Sequence, residues 1–214
     1  NTFNVDNLNG AISISERNIG FPNLTWETAN LYQVGAEFTI GRVLDGSIDY
    51  YIKNTTNLIF NRNVGPSVGY ATETVNDGRL RNSGLEFDLT THIFNKSDFK
   101  LDFTVNGSFL GNELTKMPID PATGKEKVLD INGAYGRTAG RSLFDFYMRE
   151  WAGVDPQDGR AMWNLYYDDA NNDGIYDSGE EIASLYEYLV ENPDANVQKT
   201  TTKSYSDATQ KFLD

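Results

Sequence analysis

The sequence contains no cysteine and a single histidine, His92. The first absence removes disulfide frameworks and thiolate metal sites, and it leaves the redox compartment unreadable. The second removes most histidine-based acid–base catalysis. Basic residues are scarce as well: 18 Lys and Arg stand against 31 Asp and Glu, a formal net charge of −13. A phosphate backbone needs clustered cations, so this balance argues against a nucleic-acid partner. No run approaches the ~18 consecutive apolar residues of a membrane helix, and no signal peptide opens the chain. A helical membrane protein is thereby excluded, but not a membrane barrel, whose strands alternate and leave a weaker signal. The chain starts at Asn1 without Met, as a processed or partial piece would.

What is abundant points to strands and turns: 12 Tyr, 12 Phe and 19 Gly, with frequent Asn. From Tyr32 the apolar positions recur at period two (Tyr32, Val34, Ala36, Phe38, Ile40), with Gln33, Glu37 and Thr39 between them. After the turn at 41–46 the pattern resumes as Ile48, Tyr50, Ile52 and, further on, Leu58 and Phe60, against Asp49, Tyr51 and Lys53. A second predicted hairpin sets Leu85, Phe87, Leu89 and Ile93 opposite Glu86, Asp88 and His92. Across the turn at 94–98 it sets Leu101, Phe103, Val105 and Phe109 opposite Asp102, Thr104 and Asn106. A weaker fifth strand alternates Phe144, Phe146 and Met148 and runs towards Trp151.

These runs exceed the ~5–6 residues of ordinary soluble strands and are long enough to cross a bilayer at a tilt. The connections alternate between tight turns at 41–46 and 94–98 and long loops at 61–82 and 113–139, the asymmetry of outer-membrane barrels. A soluble antiparallel sandwich would alternate too. Against it stands a polar face bearing Glu37, Asp49, Lys53, Glu86, Asp88, Lys100 and Asp102, which suits a wet lumen, while the other face would meet lipid.

Residues 168–181 read DDANNDGIYDSGEE. Counted from Asp169, the pattern D-x-N-x-D-G-x-x-D-x-x-E places Asp169, Asn171, Asp173, Gly174, Asp177 and Glu180 at positions one, three, five, six, nine and twelve of an EF-hand calcium loop. Ca²⁺ takes six to eight hard oxygens, so alternate side chains turn inward, the Ile175 carbonyl contributes and Glu180 closes the shell. Ile182, Leu185, Tyr186 and Leu189 predict an exiting helix, whereas the segment before the loop reads as a strand. The expected role of Ca²⁺ is to staple a long loop, in competition with an empty acidic turn. Adjacent acids such as Glu180/Glu181 follow from composition and point to no catalysis. Four N-x-[ST] matches, at Asn23, Asn54, Asn95 and Asn106, are likewise compositional. His92 reads as a hydrogen-bonded lumen residue. Tyr70 and Tyr135, in or beside the long loops, are the weak candidates for ligand contacts, because sugar rings stack on exposed aromatics.

Four stretches in order resemble one family: NLTWETANLYQVGAEF (23–38), GSIDYYIKNTTNLIF (46–60), GRLRNSGLEFDL (78–89) and WAGVDPQDGRAMW (151–163). They resemble consecutive barrel strands, and the segment following one, of SusC/RagA-like TonB-linked outer-membrane proteins of Bacteroidota. The resemblance implies an all-β fold, here about five to eight antiparallel strands of a larger, 22-stranded transmembrane barrel. It implies import of large nutrients, glycan or peptide oligomers, with a SusD-like surface lipoprotein as lid and TonB acting through a plug domain. The expected layout is barrel strands and loops over residues 1–164, then a loop insertion over 165–214 leading towards the next strand, with the plug outside this chain. The alternatives are a secreted, calcium-stabilised glycan-binding or adhesin module and a passive porin.

Overall fold

The computed structural model describes residues 2–8, 11–18, 23–63, 72–120 and 123–213. Strands β1 (Thr2–Leu8) and β2 (Ala11–Asn18) form a hairpin. The main sheet is an antiparallel meander of β3 (Thr28–Ile40), β4 (Leu44–Asn63), β5 (Thr72–Asn95) and β6 (Lys100–Lys116), neighbours in chain order. At ~3.3 Å per residue the 24 residues of β5 reach about 79 Å, far beyond a ~30 Å hydrocarbon core. Strands of this length are more than sufficient to cross a bilayer.

Cross-strand register turns the period-two patterns into two faces. Val34, Tyr50, Leu85 and Phe109 share one row, and Ala36, Ile48, Phe87 and Gly107 the next. Val34, Tyr50, Phe103 and Phe109 are exposed, so no described residue covers this face. From the row containing Gly111 down to that containing Leu101, the apolar face extends about 33 Å along β6, or about 25 Å in height at a ~40° tilt. That is the height of a barrel's lipid-facing band. The opposite face carries Glu37, Asp49, Glu86, Asp88 and Asp102, as the alternation requires.

Three sequence expectations change. Leu58 and Phe60 do not continue the outward apolar row. Asn57 adopts φ 56° and the β4–β5 register shifts on either side of Leu58, so the strand changes face. Phe60 is buried with Leu114 and Met117, beneath Leu58, Val75, Leu80 and Leu143. The expected loop at 61–82 is mostly hairpin, with Asn63 paired to Thr72 and Arg79 to Thr56, and its tip lies outside the described residues. The fifth strand is not a long barrel strand either. It divides into β9 (Tyr147–Arg149) and β10 (Trp151–Val154), and its buried member is Tyr147, while Phe144, Phe146 and Met148 are exposed.

Beyond Lys116 the chain folds into a body of short elements. The hairpin β7 (Asp130–Asn132) and β8 (Tyr135–Arg137) comes first, and β9 pairs with the distant β13 (Gln210–Phe212). Strand β10 joins β11 (Ala161–Asp168) and β12 (Val197–Thr202), and helix α1 (Leu185–Glu191) falls where the apolar spacing predicts. Strand β11 runs unbroken across the expected 164/165 boundary. A second core of Leu129, Tyr147 and Phe212, with Tyr186 against it, holds this body together. The Tyr147 hydroxyl and Ser184 Oγ lie 2.7 Å apart, which ties β9 to the start of α1.

Candidate functional site

The polar face of the sheet is the first functional surface. Near the turn end, His92 on β5 reaches both neighbouring strands: Nε2 lies 2.9 Å from Asp45 Oδ2 on β4, and Nδ1 lies 2.7 Å from Asp102 Oδ1 on β6. The expected hydrogen-bonded lumen histidine is thus a clamp across three strands. Further along, Gln33 donates to Asp49 Oδ1 at 3.3 Å. Among the described residues, no cation lies within ion-pair distance of Glu37, Asp49, Glu86 or Asp88. This stretch of wall therefore presents net negative charge.

At the loop end of the same face, residues 140–146 fold back over the sheet. Asn112, in register with Asn82 on the inner face, accepts hydrogen bonds from Ser142 Oγ (3.1 Å) and the Leu143 amide (2.9 Å), and donates to Asn82 Oδ1 (2.6 Å). Leu114 donates its amide to the Arg141 carbonyl at 2.8 Å and accepts from Gly140 at 2.7 Å. This tether hangs Phe144 over a groove of about 740 Å³ floored by Tyr51, Lys53, Asn82 and Leu110. Tyr135, one of the two aromatic candidates, stands beside it, its ring 5.2 Å from that of Phe146 and 6.4 Å from that of Phe144. Tyr70, the other, lies outside the described residues. Sequence reasoning missed Leu110 and assigned Phe144 and Phe146 to the face of an alternating strand. The signal available was Leu110 breaking the outward alternation right after Phe109.

The acidic loop is curled rather than extended. Asp169, 3% exposed, accepts the Asp173 amide through Oδ1 (3.0 Å) and the Gly174 amide through Oδ2 (3.0 Å). Asn171 Oδ1 also accepts the Asp173 amide, Asp173 Oδ1 accepts the Ile175 amide at 2.8 Å, and Glu180 Oε2 accepts the Asp177 amide at 3.0 Å. Asn172 and Gly174 take the left-handed conformation that the tight curve needs, with φ 60° and 72°. The first half of the predicted ligand set, Asp169, Asn171 and Asp173, is brought together. In the second half, the Glu180 carboxylate holds the amide of Asp177, and the Ile175 side chain faces outward. Among the described residues, no three His, Asp or Glu side chains converge in metal-holding geometry. A residue that the sequence did not announce braces the loop: Asn196 Nδ2 donates to the Asp169 carbonyl (3.1 Å) and to Asn172 Oδ1 (2.8 Å). Burial, with Asp169, Glu180 and Asp173 nearby, raises the Tyr167 phenol above its ordinary pKa. The Tyr188 phenol is raised by its 2.7 Å hydrogen bond to Asp168.

The sequence profile of the TonB dependent receptor-like, beta-barrel family matches residues 1–207. The TonB-dependent receptor P26 of Formosa agariphila is 31% identical over 114 residues, covering 52% of this chain and 10% of that protein. The TonB-dependent receptor SusC of Bacteroides thetaiotaomicron is 26% identical over 185 residues, covering 82% of this chain and 17% of its own. Among solved structures, the RagAB peptide importer in its closed-closed state superposes on 100% of this chain with a TM-score of 0.69 at 20% identity, covering 21% of that chain. The chain thus spans only a small part of the relatives it matches. The resemblance to SusC/RagA-like proteins seen in the strand motifs holds, and with it the reading of β3–β6 as barrel wall. On the profile match over nearly its whole length, the chain belongs to the TonB-dependent receptor-like β-barrel family.

Proposed function

We propose that this chain is a section of the wall and outward loops of a TonB-dependent importer in the outer membrane of a Bacteroidota-type bacterium. The whole protein would carry glycan or peptide oligomers, with a SusD-like lipoprotein over its mouth and TonB acting through a plug. The carrying observation is the two-faced sheet. A bare apolar band about 25 Å high backs onto an acidic inner face, with tight turns at one end and a folded loop body at the other. A secreted binding module would have to cover that band, and a passive porin would not need the family's energy-coupled partners. The test is uptake and growth on oligomeric nutrients by cells lacking the full-length gene, lacking TonB, or lacking a neighbouring lipoprotein gene. Uptake that persists in all three strains overturns the reading.

The acidic loop carries a second, structural role in this proposal. Asp169, Asn171, Asp173, the Ile175 carbonyl, Asp177 and Glu180 supply hard oxygens in the order that Ca²⁺ requires. The curled first half, with its left-handed residues already set, supports binding. Closing the shell requires Glu180 to exchange the Asp177 amide for the ion. Ca²⁺ titration of the purified receptor, read by protease resistance of residues 165–192, tests this. Protection should appear in the wild type and be lost in Asp173→Ala. Identical protection with and without Ca²⁺ in the wild type defeats it.

A further inference from the structure

We propose that Tyr135, Phe144 and Phe146 form an aromatic ledge on the inner side of the barrel mouth that binds the rings of an uncharged oligosaccharide cargo, a proposal that rests on the importer reading above. Aromatic side chains normally bury most of their surface. Here three adjacent rings pack on one another, and no described residue covers their outer surfaces: Phe144 is 66% exposed, Phe146 47% and Tyr135 36%. They are nevertheless held rigidly. Tyr135 and Phe146 are bridged through their backbones and lie nearly parallel, 20° apart at 5.2 Å, while Phe144 stands edge-on to Tyr135 at 86°. The Gly136 amide donates to the Asp145 carbonyl (3.0 Å) and the Tyr147 amide to the Ala134 carbonyl (2.8 Å), which joins the two backbones carrying the rings. A preformed platform of this kind costs little ordering entropy when a ligand lands on it.

The chemistry of the surroundings selects the cargo. The groove beneath the ledge, about 740 Å³, lies within the roughly 300–1,000 Å³ of small-molecule sites. Its floor combines an apolar step, Leu110 at 70% exposure, with donors suited to hydroxyl oxygens. The Asn82 carbonyl is occupied by Asn112, which leaves its amide nitrogen for a ligand, and Lys53 stands beside it. A pyranose offers one face of C–H groups to the electron-rich face of an aromatic ring and a rim of hydroxyls to such donors. Glu37, Asp49, Glu86 and Asp88 line the route beyond the groove without cationic partners among the described residues, so an anionic cargo is repelled. A peptide captured by strand addition needs an open strand edge. In the groove floor, β4 and β5 are each hydrogen-bonded on both sides and offer no such edge, and on β6, the edge strand of the sheet, the Leu114 amide and carbonyl are already taken by residues 140–141.

The experiment uses the full-length receptor, purified in detergent and also expressed in its own cells. Calorimetry is run with maltoheptaose, cellohexaose, laminarihexaose and mannohexaose, and with an uncharged peptide. At least one neutral oligosaccharide should bind, with affinity falling about tenfold or more in Phe146→Ala and in Phe144→Ala, the loss of one stacked ring. Binding should be retained in Tyr135→Phe and Phe144→Trp, which keep a ring and guard against misfolding. Saccharide binding that is unchanged in the alanine variants removes the ledge as a subsite and leaves the importer reading intact. TonB-dependent uptake of peptide alone, with no saccharide bound, overturns the cargo assignment and likewise leaves that reading intact. Absence of any TonB-dependent uptake overturns both.

Discussion

Phe60 lies directly over Gly78, filling the space in which any larger residue at 78 would place its Cβ. This contact exists because the irregular register around Asn57 and Asp77 turns Phe60 inward. Gly78→Ala should push the ring off Leu114 and Met117 and destabilise the upper hairpin by about 1–3 kcal/mol, the usual cost of overpacking. Limited proteolysis and heat-shifted gel mobility of the full-length receptor measure this. Unchanged behaviour would mean that the Phe60 cluster is not part of the cooperative unit.

His92 joins β4 to β6 through β5, with carboxylates on both ring nitrogens. His92→Leu leaves Asp45 and Asp102 facing each other across the gap, so it should lower the unfolding temperature of the barrel. Asp102→Asn in the His92→Leu background should restore part of the loss by removing one of the two charges. A double-mutant cycle that shows no coupling between positions 92 and 102 would contradict the clamp.

The two faces of β4 predict opposite responses to one substitution. Ile48→Arg, near the middle of the apolar band in the row of Ala36 and Phe87, should cost about 2–4 kcal/mol of folding stability in vesicles. Ser47→Arg, one residue away on the inner face beside Glu37 and Asp88, should be nearly neutral. Denaturant titration of both variants in lipid is decisive, and equal costs would mean that the sheet does not separate lipid from water.

Lys203 Nζ lies 2.6 Å from Asp155 Oδ2 and 2.7 Å from Asp158 Oδ2, and so pins the 155–160 turn to the segment after β12. The hydrogen bond from Lys203 is the leading cause that lowers both carboxyl pKa values, and the two carboxylates raise that of Lys203. Groups with lowered pKa stabilise the fold fully above the ordinary value of ~3.9 and lose that contribution as pH falls through their folded values. The raised lysine contributes below ~10.4 and loses its contribution as pH rises through its folded value. Amide exchange in residues 155–160, corrected for intrinsic rate, should be flat between about pH 5 and 9 and rise at both extremes. In Lys203→Met the acid limb should move to higher pH. An acid limb unmoved by that substitution would show that the ion pair does not hold the turn.

The alternation from Tyr32 to Ile40 and from Leu85 to Leu89 was enough to assign the two faces of the wall. A strand's side chains alternate through covalent geometry alone, wherever the strand lies. The order of four short motifs carried the family, and the oxygen spacing from Asp169 to Glu180 marked the acidic loop, because both are local patterns. Where the alternation breaks was a different matter. The irregularity at Asn57 depends on the extra residue at Asp77 across the pair, and it alone decides that Phe60 faces Leu114 instead of lipid. The alternating Phe144, Phe146 and Met148 imitate a barrel strand. Asn112 and Leu114, about thirty residues earlier, tether residues 140–143, and β13 takes Tyr147–Arg149 as its partner. Asp169 owes its burial in part to Asn196, 27 residues further on. In each case the deciding contact joins segments far apart in sequence. Forming it costs chain entropy that only the packed fold offsets.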